Sequence, residues 1–310
     1  MKKNIAYYFI LLGVLFNLVA CEEEVVPDNS DFEEQYVIES YLENSTEAFP
    51  PYLFLTKSIG FYSKIDVSIL QKLFVSGADV KITVDNNVYK LDEICLNQLP
   101  EEIRKEILVE LGLNSDSVQV DLCAYIDINR KIPIAKGKIY ELEVVVRKDT
   151  IRSTTRIPDL IPLDSIWFDK LPGKPNDTFA QMFARINDIP DQTDYYRFFT
   201  AGQDELLIPD NSSVFNDFFF NGQNFKFTIP KARPAGEGFS DTAGYFRKGD
   251  TVRVKWCNID REHFDFWNTL EVSRTRQGPF SSYVRIDGNI QNGLGLFGGQ
   301  NCETYTILVK

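Results

Sequence analysis

From Tyr36 onward the chain consists of short runs in which apolar and polar residues alternate, separated by turn residues. Alternation with a period of two marks half-buried strands, so this pattern commits most of the chain to β-structure. Residues 77–84 alternate, Asp85-Asn86-Asn87 supplies turn chemistry and residues 88–91 continue as a partner, which predicts a hairpin. Val118, Val120, Leu122 and Ala124 share one face, and Tyr140, Leu142, Val144 and Val146 share another. Runs at 165–168, 179–186, 195–200, 225–229, 251–257, 282–286 and 304–309 carry the pattern onward. Two helices interrupt it. Pro100 with Glu101 and Glu102 opens one, whose apolar side is Ile103, Ile107, Leu108 and Leu111, and Gly112 stops it. Asp260 N-caps the other, which runs to Leu270 with Phe264, Trp267 and Leu270 toward a sheet.

A chain of 310 residues, 44% hydrophobic, has material for about two domains. The segment 155–162, with two prolines, ends the first. The expected fold is therefore mainly β, with two β-sandwich-like domains at 36–157 and 158–310. The first carries the 100–112 helix as an insertion.

The N-terminus has a different character. Met1-Lys2-Lys3-Asn4 is basic, residues 5–19 are apolar, and Leu18-Val19-Ala20-Cys21 closes the run with small residues ahead of a cysteine. This is the pattern of a lipoprotein signal peptide over 1–20. Its apolar run of about 15 residues is shorter than the roughly 20 that cross a bilayer. Cleavage before Cys21 and acylation of its sulfur and amine would place several acyl chains on one residue, enough for stable anchoring. Loss of Lys2 and Lys3 takes the formal charge from −12 to −14, which repels nucleic acid. Residues 21–35 read as an acidic tether. Its Glu22-Glu23-Glu24 resembles the signal that exports Bacteroidota lipoproteins to the outer leaflet of the outer membrane, which implies a cell-surface location.

Of the five cysteines, Cys21 is the anchor, leaving Cys95, Cys123, Cys257 and Cys302 as an even set in an oxidising compartment. No two have C-x-x-C spacing, so neither a zinc knuckle nor a thioredoxin-like site is supported. Three pairings are open. A division near residue 158 would favour Cys95 with Cys123 and Cys257 with Cys302, one disulfide in each domain.

Sites of known chemistry are scarce. His263 is the sole histidine, which removes histidine-rich metal sites, and no Gly-x-Ser-x-Gly elbow supplies a nucleophile for a triad. Gly293-x-Gly295-x-x-Gly298 matches the letters of a dinucleotide fingerprint but lacks a following helix and acidic residue. A tight loop fits better, with Leu294, Leu296 and Phe297 plugging a core. Asp188, Asp191 and Asp194 could offer oxygens to calcium, yet their spacing is not that of an EF-hand and a solvated turn is favoured. No metal or cofactor is therefore expected. Paired carboxylates for glycan hydrolysis depend on spatial separation and carry no motif here. Phe218, Phe219 and Phe220, between Asp217 and Asn221, are the leading exposed apolar patch and so the interface candidate, against a strand buried on both faces.

Several segments together resemble one family. They are the lipobox, Tyr36-Val37-Ile38-Glu39-Ser40-Tyr41-Leu42, Val75-Ser76-Gly77-Ala78-Asp79-Val80, Asp194-Tyr195-Tyr196-Arg197, Gly249-Asp250-Thr251-Val252, Ile259-Asp260 with its aromatic helix, Gly288-Asn289-Ile290, and residues 293–299 ending in Phe297-Gly298-Gly299. The chain is similar over nearly its whole mature length to the Bacteroidota lipoproteins of the domain of unknown function 4249 family. The resemblance implies an outer-membrane lipoprotein, often associated with TonB-dependent receptors. It also implies a first domain like the small carboxypeptidase-regulatory or immunoglobulin-like sandwich, and no catalytic residues. The expected function is thus non-enzymatic binding, accessory to a TonB-dependent transporter. The alternatives are a structural or adhesive envelope protein and, behind it, a carboxylate-dependent hydrolase.

Overall fold

The computed structural model describes residues 32–60, 69, 72–99, 101, 104, 122–171, 178–233, 240–275 and 284–310. Its first strands are β1 (Tyr36–Asn44), β2 (Tyr52–Lys57), β3 (Asp79–Val84), β4 (Asn87–Lys90), β5 (Asp92–Cys95), β6 (Cys123–Ile126), β7 (Ile139–Val146) and β8 (Asp149–Arg156). There follow β9 (Leu163–Lys170), β10 (Phe179–Asn187), β11 (Tyr195–Ala201), β12 (Ile208–Asn216), β13 (Asn224–Ile229), β14 (Phe246–Arg247) and β15 (Thr251–Ile259). Helix α1 (Arg261–Thr275) and the long strand β16 (Leu294–Leu308) complete the chain. Among the described residues no helix is long and apolar enough to cross a membrane.

The alternation makes three sheets. An eight-stranded sheet runs β12-β11-β15-β16-β1-β2-β6-β5, a four-stranded sheet runs β4-β3-β7-β8, and β9, β10, β13 and β14 form the third. Tyr140, Leu142, Val144 and Val146 of β7 all point inward, because alternate residues of a pleated strand share a face. They join Ile38, Leu53 and other residues in a first core. A second core, with Met182, Tyr196, Phe198 and Trp256 at its centre, lies between the third sheet and the other end of the long one. The fold is mainly β and sandwich-like, as expected.

The segment around 157–158 passes from one core to the other, with Ile157 in the first and Ile161 in the second. The long sheet is continuous across it. Strand β16 pairs in parallel with β1, from Val37 opposite Leu294 to Asn44 opposite Asn301. The connecting segment is itself fastened to that sheet: Trp256 Nε1 donates to the Ile161 carbonyl at 2.9 Å, and Ile161 N donates to Asn258 Oδ1 at 2.8 Å.

The β3–β4 hairpin forms as expected, its turn made by Asp85 and Asn86, both at positive φ, so that Val84 faces Asn87. Four expectations need correction. From Leu294 onward the glycine run 293–299 is not a loop but the start of β16, and Leu294 is exposed while Leu296 and Phe297 are buried. At Gly295, φ is +104° and a Cβ would fall 2.0 Å from the Ile38 carbonyl oxygen, so only glycine lets the parallel strand approach β1 there. Residues 284–286 are not a strand, and β12 forms where no alternation marked it. Helix α1 continues past Leu270 to Thr275. The helix expected at 100–112 lies outside the described residues except for Glu101 and Arg104, both helical.

Candidate functional site

Strand register builds the site. Strand β10 pairs with β13 so that Asn187 faces Asn224, and β11 pairs with β12 so that Tyr195 faces Asn216. The β10–β11 connection and the β12–β13 turn therefore leave the same ends of two sheets and lie side by side. Asp188 N donates to the Gln223 carbonyl at 3.1 Å, and Asp217 N to the Asp194 carbonyl at 3.2 Å. This brings Asp188, Asp194 and Asp217 together, with one carboxylate oxygen of each within 4.8 Å of the others. Asp191, which the sequence grouped with Asp188 and Asp194, is exposed and outside the cluster. Asp217 replaces it from 23 residues beyond Asp194, a pairing invisible to local spacing.

Each carboxylate is held by donors. The Tyr196 hydroxyl donates to Asp188 Oδ1 at 2.5 Å and Gly222 N to Oδ2 at 2.8 Å. Asp194 N and Asn221 Nδ2 donate to Asp217 Oδ2 at 3.1 and 2.8 Å. Gln192 Nε2 donates to Asp194 Oδ2 at 2.8 Å. Asp217 is 0% exposed, and its Oδ1 has no hydrogen-bond partner among the described residues. Burial pushes the Asp194 carboxyl up to about 6; the Gln192 donor opposes this, and the charges of Asp188 and Asp217 add to it. Burial likewise raises Asp217.

The same turn splits the phenylalanine triplet. Phe218 and Phe219 are 76% and 87% exposed and meet edge to face, with centroids 5.1 Å apart. Phe220 is buried, stacked on Phe225 at 4.4 Å, and so drops out of the expected interface. Its burial anchors the turn: Phe220 N donates to the Asp217 carbonyl at 2.7 Å, leaving the two preceding rings displayed. The result is a polar, acidic cluster beside an apolar tip.

A second buried polar cluster lies under α1. Arg197 faces this helix from β11, its guanidinium carbon 3.7 Å from the Trp267 ring centroid and 4.7 Å from that of Phe199. Glu271 accepts from Ser213 N and Oγ and is drawn electrostatically to Arg197. His263 is fully buried against Tyr41, with ring centroids 5.4 Å apart, and a Cβ on Gly298 would fall 2.7 Å from its Nδ1. Burial first, and Arg197 second, push the imidazole down to about 3, so it is neutral and sealed from solvent. Asp260 caps the helix as expected, accepting from His263 N at 2.8 Å.

The cysteines pair as Cys95–Cys123 and Cys257–Cys302, each joining directly opposed residues of neighbouring antiparallel strands. That use leaves Glu93, which lies beside the first pair, without thiolate partners for a metal. Cys21 and Glu22, Glu23 and Glu24 lie outside the described residues.

The family model described as Domain of unknown function (DUF4249) matches residues 22–306. Comparison with curated proteins and with solved structures returned no match.

Proposed function

The chain belongs to the DUF4249 family, and we propose that it is a lipid-anchored, surface-exposed outer-membrane protein that binds rather than catalyses, as an accessory to a TonB-dependent transporter. The Phe218–Phe219 pair carries this reading. Two adjacent aromatic side chains in water are unfavourable on a free monomer, and exposed aromatics set on a fixed backbone are the usual anchors of protein interfaces. The turn presenting them is fixed by Phe220 in the core and by the hydrogen bonds of Asp217 and Asn221. The lipobox ending at Cys21 and the acidic run Glu22–Glu24 support the address. The sole histidine is sealed on the buried side of α1, which favours binding over proton-transfer chemistry.

The test is photo-crosslinking in the native envelope, with a benzophenone amino acid in place of Phe219 and, as control, in place of exposed Thr228 on β13. A receptor barrel captured from position 219 and not from 228 is the expected result. Equal capture from both, or capture of no barrel protein, would overturn the reading.

A further inference from the structure

We propose that Asp188, Asp194 and Asp217 form a binding site for a calcium ion. Three carboxylates meet here from two separate connections, with an oxygen of each within 4.8 Å of the others. Calcium binds oxygens at about 2.3–2.6 Å, so two ligands of one ion lie no more than about 5 Å apart, and the observed spread fits a single ion. Among the described residues, no lysine or arginine forms an ion pair with any of the three.

The second observation is independent of the clustering. Asp217 is completely buried, and its Oδ1 has neither a donor nor solvent contact. A buried carboxylate oxygen is normally satisfied by a hydrogen bond, a counter-charge or a metal, and here neither of the first two is provided by the described residues. The remaining oxygens show the order expected of a ligand set. Tyr196 and Gly222 hold Asp188, Asn221 and the Asp194 amide hold Asp217, and Gln192 holds Asp194. Such outer donors fix the orientation of ligating carboxylates.

The donors are all oxygen, which selects a hard cation over zinc or copper. Carboxylates contributed by two connections of different geometry suit the flexible coordination of calcium better than the strict octahedron of magnesium. The ion would tie the β10–β11 connection to the β12–β13 turn, and so join the ends of two sheets. It would also bind at Asp217, the residue immediately before Phe218.

The experiment uses the full chain in detergent, treated with a chelator and then titrated with terbium, whose luminescence Tyr196 is placed to sensitise because its hydroxyl contacts Asp188. Terbium emission displaced by calcium, with magnesium displacing it less effectively, is the expected result. Asp217→Asn and Asp194→Asn should each weaken calcium binding by about tenfold or more, whereas Asp191→Asn should leave it unchanged. Asp194 is the half-buried member, so its variant keeps the test valid if the Asp217 variant fails to fold. No emission that calcium displaces, or an Asp191→Asn effect equal to that of Asp194→Asn, would overturn the proposal.

Discussion

Strand β11 separates two buried polar clusters of opposite design. Under α1, Arg197 stands with Trp267, Phe199, Tyr41 and Glu271, a cation among rings and an anion. At the start of the strand, Asp188, Asp194 and Asp217 bring together groups of one sign. The alternation of β11 assigns the sides: Tyr195, Arg197 and Phe199 face the helix, while Tyr196 reaches Asp188 from the opposite face. One cluster carries both signs of charge within the chain, although Arg197 Nε, Trp267 Nε1 and His263 Nε2 have no hydrogen-bond partner among the described residues. The other has its geometry fixed and its charge uncompensated, which distinguishes a structural polar core from a site prepared for a cation.

The contrast can be broken most forcefully at Arg197. Arg197→Met leaves Glu271 buried without its cation and should destabilise the chain by about 3–5 kcal/mol in denaturant unfolding. Adding Glu271→Gln should restore part of that loss. A loss below about 1 kcal/mol would mean that apolar packing against the rings, which methionine keeps, and not the Arg197 charge holds this cluster. Replacing Cys257 and Cys302 by alanine, directly beneath the same helix, should cost about 2–4 kcal/mol.

Asp260 offers a pH test on the helix side. Burial pushes its carboxyl up to about 6, above the ordinary 3.8, while donation from Thr155, His263 N and Arg156 N opposes the rise and Glu262 adds to it. The folded state therefore binds this proton more tightly than the unfolded state. Its contribution to stability is full below about pH 4 and is lost as pH rises through about 6. Asp260→Asn keeps an oxygen for the cap and should flatten this dependence by about 2 kcal/mol. Melting curves of the two proteins from pH 4 to 7 should therefore diverge, the wild type losing more.

At the acidic cluster the sign should reverse. Asp194→Asn in chelator removes one of three like charges and should stabilise the chain by about 1 kcal/mol, where removing a charge at Arg197 destabilises. A destabilisation of similar size in chelator would mean that the carboxylate acts as a hydrogen-bond acceptor rather than as part of a repulsive set.

The sequence announced these two regions unequally. Residues that act through a period of two were legible: Tyr140, Leu142, Val144 and Val146 are buried together, and Asp85-Asn86 turns the hairpin. The cap at Asp260 was legible because it acts on a residue three positions away. The acidic cluster was half legible. Asp188 and Asp194 share a connection, but Asp217 arrives only through the pairing of β11 with β12, and β12 carries no clear alternation to announce it. Parallel pairing of β16 with β1 was hidden for a related reason. Glycines that permit close strand approach look in one dimension like glycines of a loop, and only the Ile38 carbonyl opposite Gly295 distinguishes them. Arg197 stood in the Asp194-Tyr195-Tyr196-Arg197 segment of the family resemblance but its role was not legible, since an arginine among aromatics on a strand reads as an exposed residue until a helix covers it.

The smallest expected effect on stability falls on the tip, and it separates presentation from packing. Phe218 and Phe219 touch little besides each other, so Phe218→Ser with Phe219→Ser should change stability by less than about 0.5 kcal/mol. Phe220→Ala, one residue on, removes a ring stacked on Phe225 and should cost about 3 kcal/mol or more. If the pair exists for a partner, the double serine variant keeps its melting temperature and both disulfides while no longer co-purifying with the receptor barrel from gently solubilised envelope. If it loses stability as Phe220→Ala does, the two rings belong to the fold, and their exposure carries no message about binding.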